Sequence, residues 1–160
     1  MTKVVAVVGN PKPASRTHAA ALQLRDALAA RAGDGASTGL VDLAELAPQL
    51  LDPESAARAA ALGEAAAADV LVVASPTYKA AYTGLLKLFL DGYGPAPLAG
   101  TIAVPLMVGA APQHALAVDV HLTPLLLELG ARCPARGVYV LESELGDFST
   151  RAATIAAGIL

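Results

Sequence analysis

The sequence predicts an α/β fold: a doubly wound five-stranded parallel sheet, strand order 2-1-3-4-5, with helices on both faces. Three observations predict it. Short β-branched runs alternate with helical segments along the chain, and strands that alternate with helices pair in parallel. The runs Val4–Val8 and Val70–Ala74 are apolar without a polar alternate, the habit of strands covered on both faces. Alanine is frequent, which favours helix between them.

The first strand is Val4–Val8, and a helix over Ser15–Ala32 follows, carrying Leu22, Leu28 and many alanines. The second strand is a thin run, Gly39–Val41. Asp52-Pro53 reads as an N-cap with proline at the first helical position, starting a helix over Pro53–Ala67. The third strand is Val70–Ala74. The next helix, Thr83–Asp91, holds Leu85, Leu86, Leu88, Phe89 and Leu90 and is closed by Gly92. The fourth strand, Ile102–Val108, contains Pro105, which removes one ladder hydrogen bond and predicts a local irregularity. A leucine-rich helix over His114–Leu129 ends at Gly130. The fifth strand is Val138–Leu141, and Ser149–Leu160 forms the last helix.

Pro124 lies well inside the run His114–Leu129. It has no N–H, so the Val120 carbonyl loses its partner four residues on, and the ring crowds that carbonyl. A wide turn from Val120 to the Leu125 N–H relieves both problems. Residues 118–124 are therefore expected to depart from α geometry, as a π-bulge of the kind often found at functional sites or as a plain proline kink.

The 160 residues read as one domain, 1–160. A hydrophobic content of 55% against 16% charged excludes disorder. No apolar run approaches the roughly 18 residues of a membrane span, and no secretory signal is visible. The lone cysteine, Cys133, excludes an internal disulfide framework and reads as a buried or structural thiol. A net charge of -3 without a basic run argues against nucleic acid. These features describe a soluble cytoplasmic globular domain.

In such a sheet a ligand lies beyond the carboxyl ends of the strands, at the switch point. Three loops reach that edge. Gly9-Asn10-Pro11-Lys12-Pro13-Ala14-Ser15-Arg16-Thr17 leaves the first strand and enters a helix. Ser15 and Thr17 put hydroxyls at a helix N-terminus, where free N–H groups and the dipole favour an anion, and Lys12 and Arg16 add charge. The loop is a phosphate cradle by chemistry, or else a plain Ser15 cap with solvated basic neighbours. It is neither a Walker A loop nor Gly-x-Gly-x-x-Gly. Ser75-Pro76-Thr77-Tyr78-Lys79 ends the third strand, where a planar ligand could lie against the backbone beside Tyr78. A turn with a surface tyrosine accounts for it equally. Gly109-Ala110-Ala111-Pro112-Gln113-His114 follows the fourth strand, with small residues that admit a ligand to the backbone. His114 is a candidate contact or a simple cap.

No Gly-x-Ser-x-Gly elbow is present, and His18, His114 and His121 lack metal-ligand spacing. Phosphate chemistry and flat surfaces without an acid, base or nucleophile suit a flavin, whose ring carries the chemistry while the protein binds and orients. Backbone N–H groups of the Gly109-Ala110 loop could serve the flavin N1 and O2.

At these residues the chain resembles the NAD(P)H-dependent FMN reductase family with a flavodoxin-like fold, especially the reductases of two-component alkanesulfonate monooxygenase systems. Three blocks carry the resemblance: Gly9–Thr17, Ser75–Asp91 and His114–Asp119. It runs from Val4 to about Leu145. It implies that Asn10, Lys12, Ser15, Arg16 and Thr17 hold the FMN phosphate. Pro76, Thr77, Tyr78 and Lys79 would line the ribityl chain and ring, and Gly109, Ala110 and His114 would face the pyrimidine side. It implies hydride transfer from NADPH or NADH to FMN, supply of reduced flavin to a monooxygenase, and a homodimer or homotetramer built by helix packing. Flavin-supplying members carry an extra residue, often aromatic, in the helix after the third loop, near a subunit interface. Val120 aligns there, with His121 beside it. Two other readings of the same fold are a quinone or azo reductase with fixed FMN and a flavodoxin-like electron carrier. Lys12, Arg16 and the modest net charge make the strongly acidic carrier the weaker of these.

Overall fold

The computed structural model describes residues 1–160. Five parallel strands form one sheet in the order β2-β1-β3-β4-β5. They are β1 (Lys3–Val8), β2 (Ser37–Asp42), β3 (Val70–Pro76), β4 (Ile102–Gly109) and β5 (Val138–Leu141). The helices are α1 (Arg16–Ala32), α2 (Leu43–Leu46), α3 (Ala56–Ala66), α4 (Gly84–Leu90), α5 (Thr123–Glu128) and α6 (Phe148–Ile159). The predicted sheet order holds.

The pleat sorts the strands' side chains onto two cores. Val4, Ala6, Val8, Val70, Val72, Val104, Leu106, Val138 and Val140 face α1 and α6. Val5, Val7, Leu71, Val73, Ala103, Met107 and Tyr139 face the helices of the other side. Nearly all of β1 and β3 is buried, which is why neither run could show polar alternation. On α1 the buried stripe is Thr17, Ala20, Ala21, Leu24 and Leu28, at helical spacing. Each of those leucines contributes about 1.5–3 kcal/mol by leaving water. The stripe shares its cluster with Phe148, Ala152 and Ala156 of α6. No helix is long and apolar enough to cross a membrane.

Several expectations are corrected. The thin second strand spans all of Ser37–Asp42, because its pairing with β1 supplies what its residues lack in propensity. A short helix, α2, and a 3-10 turn over Ala47–Gln49 follow it; neither was expected. Asp52-Pro53 does not start α3. Asp52 instead caps a turn, accepting from the Glu54 N–H at 3.0 Å, and Ser55 is the true N-cap, accepting from the Arg58 N–H at 3.2 Å. Pro105 leaves β4 unbroken, paired in register with Val73. Ile102 donates to Asp69 on the β3 side and Ala103 to Arg132 on the other. Alternation therefore aims the missing donor of Pro105 towards β5, and regular β4–β5 pairing begins only at Leu106–Val138. The irregularity falls on the neighbour. Cys133 is half-buried, and desolvation pushes its thiol up.

The predicted helix over His114–Leu129 is broken. A 3-10 turn over Pro112–His114 gives way to a π-helical stretch, Val118–Leu122, and only then to α5. The departure from α geometry thus lies where Pro124 predicts it. The wide bond that defines it runs from the Thr123 N–H to the Val118 carbonyl, two residues earlier than the Val120–Leu125 bond expected. The Thr123 hydroxyl donates to the same carbonyl at 3.2 Å.

Candidate functional site

The carboxyl ends of β1 and β3 and the segment following β5 meet in a cleft of about 280 Å³. Asn10, Lys12, Ala14, Ser15, Arg16, Thr17, Pro76, Tyr78, Val108 and Glu142 line it. Seven of the residues singled out in the sequence are therefore brought together: Asn10, Lys12, Ser15, Arg16, Thr17, Pro76 and Tyr78. Thr77, Lys79, Gly109, Ala110 and His114 lie outside this lining.

The β1 loop is built from its own side chains. Buried Asn10 accepts from the Lys12 N–H at 2.9 Å, an Asx turn, and donates to the Thr17 hydroxyl at 3.1 Å. Ala14 takes φ 49°, turning the chain into α1. Ser15 caps α1, accepting from the His18 N–H at 3.1 Å. The first two N–H groups of α1, at Arg16 and Thr17, have no helical acceptor. This arrangement offers an anion oriented N–H donors, a hydroxyl, an ammonium and a guanidinium.

The β3 loop is tied to it through Thr83, the N-cap of α4. The Thr83 hydroxyl donates to the Gly9 carbonyl at 2.5 Å and accepts from the Leu86 N–H at 3.1 Å. Its own N–H donates to the Ser75 hydroxyl at 3.0 Å. Gly9 is required here, since a Cβ would come within 2.6 Å of the Leu86 Cβ. Tyr78 and Ala81 exchange backbone bonds of 2.9 and 3.1 Å. Between them Lys79 and Ala80 both have positive φ, 51° and 65°, forming a two-residue hairpin turn with its tip exposed. That turn holds Tyr78 half-exposed over the cleft.

At the end of β4, Gly109 gives its space to Tyr139, whose hydroxyl a Cβ would overlap. The Tyr139 hydroxyl donates to the Ala111 carbonyl at 2.8 Å, fixing the third loop from β5. The small residue thus has a packing reason of its own. The Ala110 and Ala111 N–H groups donate to no backbone carbonyl. The Thr77 Oγ1, near Gly109, is buried without a partner. Unspent donors and an orphaned hydroxyl along this edge suit the polar edge of a planar ligand.

Glu142 was not anticipated. It follows β5 directly, opening a 3-10 turn over Glu142–Asp147, and its carboxylate meets Arg16 at 2.6 Å. The rule that strand ends line the site could have found it. β5 is an edge strand, however, and Glu142 meets the β1 loop from the turn that leads into α6, a helix sharing a cluster with α1.

Residues 2–145 match the family model described as NADPH-dependent FMN reductase. A protein of Escherichia coli K12 named FMN reductase (NADPH) is 43% identical over 84 residues, 52% of this chain and 44% of that protein. A Pseudomonas putida protein of the same name matches over 41% of its length, so the matched stretch spans less than half of either relative. The Pseudomonas putida protein named NADH-dependent FMN reductase SfnE is 32% identical over 98% of this chain and 86% of its own. Among solved structures, an apo NADH:FMN oxidoreductase, EMOB, superposes with TM-score 0.87 at 30% identity, covering 100% of this chain and 91% of that one. An oxidoreductase of Corynebacterium diphtheriae gives TM-score 0.87 at 28% identity, covering 99% and 94%.

Proposed function

The chain belongs to the NADPH-dependent FMN reductase family, and from that premise we propose that it transfers hydride from NADPH or NADH to FMN. The observation that carries the reading is the β1 loop: a helix N-terminus, Ser15, Thr17, Lys12 and Arg16 converge on one cleft with Tyr78 at its rim. Asn10, Lys12, Ser15, Arg16 and Thr17 hold the FMN phosphate in this reading. Pro76, Thr77, Tyr78 and Lys79 flank the ribityl chain and ring. Gly109, Ala110 and His114 lie towards the pyrimidine edge, with the Ala110 N–H and Thr77 hydroxyl as candidate donors. Bound FMN supplies the hydride-accepting ring. The protein neutralises the phosphate, fixes the ring against the β3 and β4 loops, and leaves its outer face open to nicotinamide.

Residues 1–160 act as one FMN-binding domain in the cytoplasm, and the reduced flavin serves a flavin-dependent monooxygenase. The relatives' names support the nicotinamide and flavin substrates. They do not separate NADPH from NADH, since both occur among them. Steady-state oxidation of NADPH and of NADH with free FMN, FAD, riboflavin and a quinone tests the reading. Oxidation that depends on FMN supports it, and quinone reduction by protein that retains its flavin through dialysis refutes it.

The broken helix supports an oligomer. Leu116, Val120 and Leu127 are exposed on it, at 62%, 60% and 52%, the apolar face that a homodimer or homotetramer would cover. We infer that the π-helical stretch lies in that contact and tunes the release of FMN. Val120→Glu should lower the sedimentation coefficient to that of a monomer. An unchanged assembly would remove Val120 from the contact.

A further inference from the structure

We propose that Glu142 sets the affinity for the flavin phosphate by competing with it for Arg16, so that the site holds FMN loosely enough to give it up. The proposal rests on the reading of the cleft as an FMN site. Three observations lead to it.

First, Glu142 is the one acidic residue in a lining that otherwise presents Lys12, Arg16 and hydroxyls. A phosphate monoester brings about -1.5 to -2 charges at neutral pH. Lys12 and Arg16 would nearly balance it. With Glu142 ionised, the lining carries a formal +1, so the bound phosphate faces a carboxylate that nothing else in the lining offsets.

Second, Glu142 is already bonded to the group the phosphate needs. Its Oε2 is 2.6 Å from Arg16 Nη1. The two side chains are 34% and 66% exposed, and ion pairs this open to water contribute little to stability. The pair therefore breaks readily when phosphate arrives, yet it returns to claim the guanidinium as phosphate leaves.

Third, the neighbouring acid does not share the role. Glu144 faces away from the cleft lining, paired with Arg151 at 3.3 Å and accepting from the Leu141 N–H at 3.4 Å. Removing its charge is the matched control, since it changes the net charge of the same turn equally.

The opposite role is also definite. If Glu142 only positions Arg16 for the phosphate, removing its charge weakens FMN instead of tightening it.

The experiment is titration of the full chain with FMN and with riboflavin, followed by flavin fluorescence, for wild type, Glu142→Gln and Glu144→Gln. A carboxylate roughly 6 Å from a doubly charged phosphate in near-aqueous surroundings costs about tenfold in affinity. Glu142→Gln should therefore tighten FMN about tenfold, slow FMN dissociation by a similar factor and leave riboflavin within about twofold. The gain should shrink at about 0.5 M salt, where the screening length falls to a few ångströms. Glu144→Gln should bind both flavins as wild type does. Wild type that binds FMN, with a Glu142→Gln variant that binds it equally or more weakly, overturns the inference alone. Tightening of riboflavin to the same degree also overturns it, because the effect then does not act through phosphate. Wild type that binds no flavin removes the reading of the cleft, and the inference with it.

Discussion

Thr83→Val is the most exacting perturbation of the scaffold behind the cleft. The replacement keeps the shape of a side chain that is 3% exposed and deletes only its hydroxyl. That hydroxyl caps α4 through the Leu86 N–H and donates to the Gly9 carbonyl. Loss of an N-cap costs about 1 kcal/mol, and a buried carbonyl left without its donor costs about 1–3 kcal/mol. The sum is about 2–4 kcal/mol. For a domain of this size each kcal/mol lowers Tm by roughly 2–4 °C, so Tm should fall by about 5–15 °C. Thr83→Ser keeps the hydroxyl and should restore most of that. Thermal unfolding followed by circular dichroism measures both. If Thr83→Val melts within about 1 °C of wild type, or Thr83→Ser falls as far, the hydroxyl does not hold the two loops together.

Arg16→Ala should weaken FMN by about 1.5–3 kcal/mol, towards the lower end because Glu142 already claims the guanidinium, and should leave riboflavin nearly unchanged. Equal losses for both flavins in a fluorescence titration would take Arg16 off the phosphate. Ala80→Gly should raise stability by about 0.5–1 kcal/mol in urea unfolding, because φ 65° strains an alanine and suits glycine. A loss of stability there would mean that the turn's conformation is held by contacts and not tolerated against strain.

Alternation of element types is a global signal, and the sheet order was legible in it. Local punctuation was read less well. Asp52-Pro53 has the residues of a helix start, but its cap bond closes a turn, and Ser55 three residues on has both the hydroxyl and the free chain behind it. Pro105 was visible as a fault, yet which strand absorbs the fault depends on which side its nitrogen faces, a property of the assembled ladder. Pro124 marked the stretch in which the helix widens, but the wide bond joins Val118 and Thr123, upstream of the Val120 carbonyl that the missing donor would orphan, so its exact place is set by the surrounding packing. The β1 loop was legible because its cap, hydroxyls and cations lie within nine residues. Glu142 was not, because it reaches Arg16 across 126 positions of chain, from 16 to 142, through the packing of two helices.

That packing has a consequence for the order in which the protein matures. The inner stripe of α1, with Leu24 and Leu28, is completed by Phe148, Ala152 and Ala156 of α6. A ribosome makes chains from the N-terminus, so α1 is made before α6 and waits with its apolar face unfinished until α6 has emerged. Contacts so distant in sequence form late and slowly. The nascent chain therefore carries the residues of the β1 loop long before α6 completes the core behind them.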